Sequence, residues 1–204
     1  MSCNHVRAFV VSGCAIATCA LAIGSATPSR AEIISMAPHE RSFVAPGGDI
    51  QFVVGAREEF ISRLPPLNQM GTTREALVSV VGYGKADGAA AGKLRVGYHV
   101  GCAATIGPLT LGATPHLLLG LGAGPSVDPA PTIALNLNPG EVKEVPIVDK
   151  DIVPGKLTQL SVRDFHIVVN SCSGPVSIRE YTYADVKSAE VDDSGAVFGD
   201  PTWL

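Results

Sequence analysis

Between Lys93 and Cys102 apolar and polar or small positions alternate with a period of two. Leu94, Val96, Tyr98, Val100 and Cys102 fall on one side, and Lys93, Arg95, Gly97, His99 and Gly101 on the other. Successive side chains of a strand point to opposite faces, so this run predicts a strand with one buried face. Further strands are predicted over 141–153, 157–170 and 176–184, separated by turns at Pro154-Gly155 and at Ser171 to Pro175. Residues 74–83 begin like a helix, but Val78-Ser79-Val80-Val81 turns the prediction to a strand. Residues 38–55 hold two short strand candidates around Pro46-Gly47-Gly48, and 56–62 (AREEFIS) predict a helical turn. Leu64-Pro65-Pro66-Leu67 must be extended or turned, because proline disfavours helix in the residue before it. An acidic patch at Glu190, Asp192 and Asp193 precedes the chain end.

The pattern changes between Ala103 and Pro139, where Asp128 is the single charged residue. Ile133, Leu135 and Leu137 alternate with Ala134, Asn136 and Asn138, and Leu117 to Leu121 form a second apolar run. A solvated hairpin normally carries charge on its outer face. Two readings stay open. In one, these strands lie in the core of a sandwich. In the other, the segment is a ribbon that lends its apolar face to the wall of a membrane β-barrel. Two strands cannot close a barrel, so the second reading requires copies of the chain in a ring, since unpaired strand edges are not tolerated in hydrocarbon.

The N-terminus has the layout of a secretory signal peptide. Arg7 precedes an uncharged stretch from Ala8 to Ala26, and Ser29-Arg30-Ala31 supplies small residues at −3 and −1 of a cleavage site. A retained anchor and a lipoprotein signal at Val11-Ser12-Gly13-Cys14 are the alternatives. Gly13, Gly24 and the small-residue exit favour cleavage after Ala31, and only Ala8 to Val10 would precede the lipoprotein motif as apolar stretch. Residues 32–204 then form a single domain. Cleavage takes Arg7 and Arg30 from the 15 basic residues and none of the 19 acidic ones. It also takes Cys3, Cys14 and Cys19, leaving Cys102 and Cys172, which most often pair in an exported chain.

Composition agrees with an all-β chain: 22 glycines and 15 prolines in 204 residues imply many turns and short strands. A formal net charge of −4 lacks the basic footprint of a nucleic-acid binder. The histidines His39, His99, His116 and His166 make no H-x-x-x-H or H-E-x-x-H pattern, so no metal site is expected. His99 and His166 fall in charged, alternating strands, which suits a surface or pore-facing place. Asp149-Lys150-Asp151 lacks the loop of a calcium site. There is no G-x-S-x-G elbow, and Gly120, Gly122 and Gly124 do not make a dinucleotide fingerprint. Nothing points to an enzyme, a catalytic residue or a cofactor.

Thr73-Arg74-Glu75, followed by Gly92-Lys93-Leu94-Arg95-Val96-Gly97-Tyr98-His99-Val100-Gly101, resembles the MspA-type porins of mycobacteria and related actinobacteria. Gly199-Asp200-Pro201-Thr202-Trp203 is similar to the family's terminal G-[ED]-P-W element with one residue inserted. The resemblance implies a β-sandwich rim domain with a protruding β-hairpin that contributes to an oligomeric β-barrel, the stem candidate being 103–139. It implies a homo-octameric ring in the outer, mycolate-containing membrane, in contact with lipid, passing small hydrophilic solutes and ions by passive diffusion. The hairpin region is shorter than the family's, and its constricting aspartate cluster is not matched. Asp128, Asn136 and Asn138 are the pore-lining candidates. The pair Cys102 and Cys172 is not part of the family pattern, and its place beside the two best-matched strands suggests a staple between neighbours. A secreted or envelope-associated structural or binding protein of the same fold is the alternative function.

Overall fold

A computed structural model describes residues 32–89, 91–104 and 132–204. The predicted signal peptide lies outside the described residues, as does Asp128. The described chain folds into eleven strands: β1 (Glu32–Ser35), β2 (His39–Val44), β3 (Gln51–Leu64), β4 (Arg74–Asp87), β5 (Ala91–Cys102), β6 (Thr132–Asn136), β7 (Val142–Asp151), β8 (Thr158–Asn170), β9 (Val176–Lys187), β10 (Asp192–Phe198) and β11 (Thr202–Trp203). They form two sheets. One has the order β1-β3-β4-β8-β6, with β2 also on β3; the other runs β10-β9-β5-β7, with β11 also on β9. Every pairing is antiparallel except β6 with β8.

The sandwich follows from the period-two pattern. Leu94, Val96, Tyr98 and Val100 are fully buried, as the alternation of β5 requires. They pack with Val54, Ile61, Val78, Val80, Ile167 and Val169 of the facing sheet and with Ile178 and Val186 of their own. The chain changes sheet at each of the turns after β4, β7 and β8, so neighbours in sequence cover one another across the core. The turn after β4 needs glycine. Gly88 has φ +83°, and a Cβ there would lie 1.9 Å from the Asp49 carbonyl oxygen.

The helical turn expected at 56–62 is instead part of β3. Two adjacent polar residues, Arg57 and Glu58, interrupt the alternation because the strand is bulged between Arg57 and Phe60, with Glu58 in the left-handed region at φ 53°. Beyond the bulge Glu59 and Ile61 point inward. The acidic patch at 190–193 leads into β10, which hydrogen-bonds along β9 from Asp192 to Phe198.

Candidate pore-forming region and its anchorage

β5 ends at Cys102, whose sulfur is bonded to that of Cys172, with the two Cα atoms 6.0 Å apart. Cys102 belongs to one sheet and Cys172 lies just beyond β8 of the other, so the bond ties the two layers together. Backbone bonds surround it. Ala103 N donates to Pro175 O (3.1 Å), Ser173 N and Gly174 N donate to Ala104 O (2.9 and 3.0 Å), and Cys172 N donates to Thr72 O (2.9 Å). Ala104, the last described residue before 105–131, is therefore held at a fixed base.

The next described residue, Thr132, opens β6, which runs parallel to β8 with Thr132 opposite His166 and Asn136 opposite Asn170. Leu135 and Leu137 are buried in the core. Of the stem candidate 103–139, residues 132–138 are part of the sandwich, where the apolar side of their alternation helps to fill the core; the central part of the candidate is 105–131. Leu117 to Leu121 lie in that segment, outside the described residues.

Asn136 thus sits in β6 of the sandwich and Asn138 just beyond it. Asn138 donates to Glu141 Oε2 from its backbone N (2.7 Å) and its Nδ2 (2.9 Å). These bonds hold the Glu141 carboxyl below its usual range, the backbone bond being the largest cause. Lys143 Nζ donates to Asn136 O (3.3 Å), and Gly140 N to Cys102 O (2.9 Å), so the crossing into β7 is pinned beside the disulfide.

The Thr73-Arg74-Glu75 element supports the same region. Glu75 accepts from Leu67 N (3.0 Å) and faces His166 Nε2 (3.0 Å), the residue paired with Thr132 in β6. Thr73 Oγ1 accepts from Asn68 Nδ2 (3.0 Å) and donates to Asn170 Oδ1 (3.4 Å). Arg74 folds back on the Gly71 and Thr73 carbonyls. The motif shapes the loop 65–73 and fixes it to β8.

His99 lies on the outward face of β5, in an aromatic cluster. Its ring is 4.9 Å from that of Tyr181, which stacks on Tyr183 at 4.4 Å; Arg179 covers Phe198 and Arg95 covers Tyr183. Burial, with Arg179 second, lowers the His99 pKa. Gly97 makes room for this packing, since a Cβ there would lie 2.4 Å from the Tyr181 hydroxyl. Asp149 pairs with Lys93 at 2.8 Å, as expected of a solvated strand end. No group of three His, Cys, Asp or Glu side chains among the described residues could hold a metal ion.

Two buried acids escaped the sequence reading, Glu59 of β3 and Glu180 of β9. Glu180 was legible. It shares the inward parity of Val176, Ile178, Thr182, Ala184 and Val186. Glu59 was not, because the bulge at Glu58 changes the parity of β3.

Comparison with known protein families gives a match to the MspA family model over residues 48–202. The match spans all the strands from β3 to β10 and includes the quoted motifs except Trp203. Among curated proteins there is no match.

Proposed function

The chain belongs to the MspA family, a family of porins, and on that premise we propose that it forms a water-filled channel for small hydrophilic solutes and ions. The observation that carries the reading is the position of the almost uncharged segment 105–131. It is inserted between Ala104 and Thr132, at a base closed by a disulfide and a dense set of backbone bonds. A tilted spanning strand needs about 9–11 residues, and 105–131 has room for two with a tight turn. A pair of strands is stable in lipid only inside a closed barrel, so the working unit is a ring of copies, octameric as in the family. Export through the cleaved signal peptide delivers it to the outer, mycolate-containing membrane. Passage is by passive diffusion, without catalysis or cofactor. Asp128, repeated around the ring, favours cations, as rings of carboxylates do.

A second reading has its own support in the sequence. Pro108, Pro115, Pro125, Pro129 and Pro131 divide 105–131, and proline cannot donate to a strand ladder. The longest stretch without proline, 116–124, suffices for one spanning strand. On this reading the same sandwich serves as a secreted or envelope-associated structural or binding protein.

The deciding experiment is conductance of the detergent-extracted mature protein in a planar bilayer. Stepwise, long-lived increases are expected, with cation preference weakened in Asp128→Asn. A silent bilayer, together with a monomer on a sizing column, refutes the channel and leaves the second reading.

A further inference from the structure

We propose that Glu59 and Glu180 are a proton-holding pair that clamps the C-terminal strap, residues 199–204, onto the sandwich, and that loss of their protons releases it. The inference stands whether or not the chain forms a channel.

The pair lies between the sheets, Glu59 being 2% and Glu180 0% exposed. The strap presses on both. After β10 the chain bends at Gly199 and returns as β11 along β9, with Thr202 opposite Ile178 and Trp203 opposite Ser177. Gly199 N donates to Glu180 O (3.1 Å), and Leu204 N to Val176 O (2.9 Å). A Cβ on Gly199 would lie 2.9 Å from Glu59 Oε2, 3.3 Å from Glu180 Cβ and 3.7 Å from Glu180 Oε2. A side chain here would press on both glutamates, and the carboxyls form the floor the strap rests on.

That floor is short of donors. Thr182 Oγ1 donates to Glu180 Oε1, and the Tyr98 hydroxyl, opposite Glu180 in the register of β5 and β9, lies near Glu59, but among the described residues Glu180 Oε2 and Glu59 Oε1 are buried without a hydrogen-bond partner. Among the described residues neither carboxyl is ion-paired. A buried carboxylate without a counter-charge is costly, and a proton supplies the missing donor. The titratable groups facing the pair are Tyr98 of β5, Tyr183 of β9 and Asp200 of the strap, the last 3.4 Å from His39 Nε2 of β2. None is a cation directed at the carboxyls.

Burial, the largest cause, pushes Glu59 up to about 7, with the nearby Tyr98 hydroxyl opposing and Asp200 adding to it. Burial likewise pushes Glu180 up to about 8, with the charge of Glu59 and against the bonds from Thr182 and the Gly199 backbone. Exposed, both groups would titrate near 4.5. Between these limits the closed strap holds protons that the open one gives up. Closure is therefore strongest at and below pH 4.5 and weakens as pH rises toward about 8.

The test is amide hydrogen exchange of the detergent-solubilised protein, expressed as protection factors so that the intrinsic pH dependence cancels. Between pH 6 and pH 9 the Gly199 and Leu204 amides should lose about tenfold or more in protection, the factor expected for one pK unit of differential binding. The Val80 amide, in the centre of the other sheet, should lose less. The double variant Glu59→Gln/Glu180→Gln should show no such differential loss. Carbon-13 titration of the wild-type glutamate carboxyls gives an independent reading that needs no variant, with both expected to titrate above pH 6. Carboxyls titrating near 4.5, or strap protection that follows Val80 at every pH, would overturn the proposal.

Discussion

Cys102 and Cys172 join the two sheets by a covalent bond at the base of segment 105–131. Four residues along the same strand, at Tyr98, the sheets are joined again, by the strap lying over Glu59 of one layer and Glu180 of the other. The first join is indifferent to pH within the neutral range and sensitive to reductant. The second is held by protons and indifferent to reductant. A sandwich with few charged side chains and a small aromatic content can thus fix the base of its insertion permanently while leaving its C-terminus conditional. The difference lies in what satisfies the buried groups: a shared electron pair in one case, and in the other a proton that bulk solution can remove.

The largest effect should come from breaking the covalent join. Opening a loop of 70 residues costs about 4 kcal/mol in the chain-entropy account. Cys102→Ser/Cys172→Ser should lower the unfolding free energy by about that amount in urea titrations. Because the disulfide and the carboxyl pair act independently, the loss should be the same at pH 5 and at pH 8. A loss that changes with pH would show that the two joins are one cooperative unit.

A third buried acid sharpens the comparison. Glu75 is nearly as enclosed as Glu59, at 9% exposed, but its oxygens meet Leu67 N and His166 Nε2. Its role is to hold a loop, so truncation should be damaging at any pH. Glu75→Ala leaves the Leu67 amide without its acceptor and should cost about 1–3 kcal/mol in unfolding free energy. Protease cleavage within residues 65–73 should quicken, with the strap unaffected.

These joins differ in how far the sequence announces them. The disulfide follows from the two cysteines that the expected signal cleavage would leave, and the inward face of β5 from unbroken alternation over 93–102. Alternation also places Glu180 among core positions. The other acid depends on Glu58 taking a left-handed backbone at a bulge, and a bulge shifts the parity of every later residue in its strand. The same interruption suggested a helical turn at 56–62. β6 was ambiguous in a different way. Its alternation was visible, but alternation fits equally a sandwich edge and a barrel wall, and only the burial of Leu135 and Leu137 distinguishes them. What decides such cases is long-range packing, which has no local signature.

The smallest effect concerns Asp200, the charged residue of the strap. Its side chain is 63% exposed and 3.4 Å from His39 Nε2, so as an ion pair it should be worth no more than about 1 kcal/mol. Its negative charge also raises the Glu59 pKa, behind burial as the leading cause. Asp200→Asn removes both contributions, and they act in opposite senses above pH 6. Without the neighbouring charge the Glu59 pKa of the closed strap falls, so closure loses less between pH 6 and pH 9, while without the His39 contact the strap is slightly easier to lift at every pH. The loss of Gly199 protection between pH 6 and pH 9 should therefore shrink by less than about tenfold, with little change in unfolding free energy at pH 5. A larger loss in the variant would mean that another group governs release, because removing a negative charge can only make Glu59 easier to ionise in the closed strap.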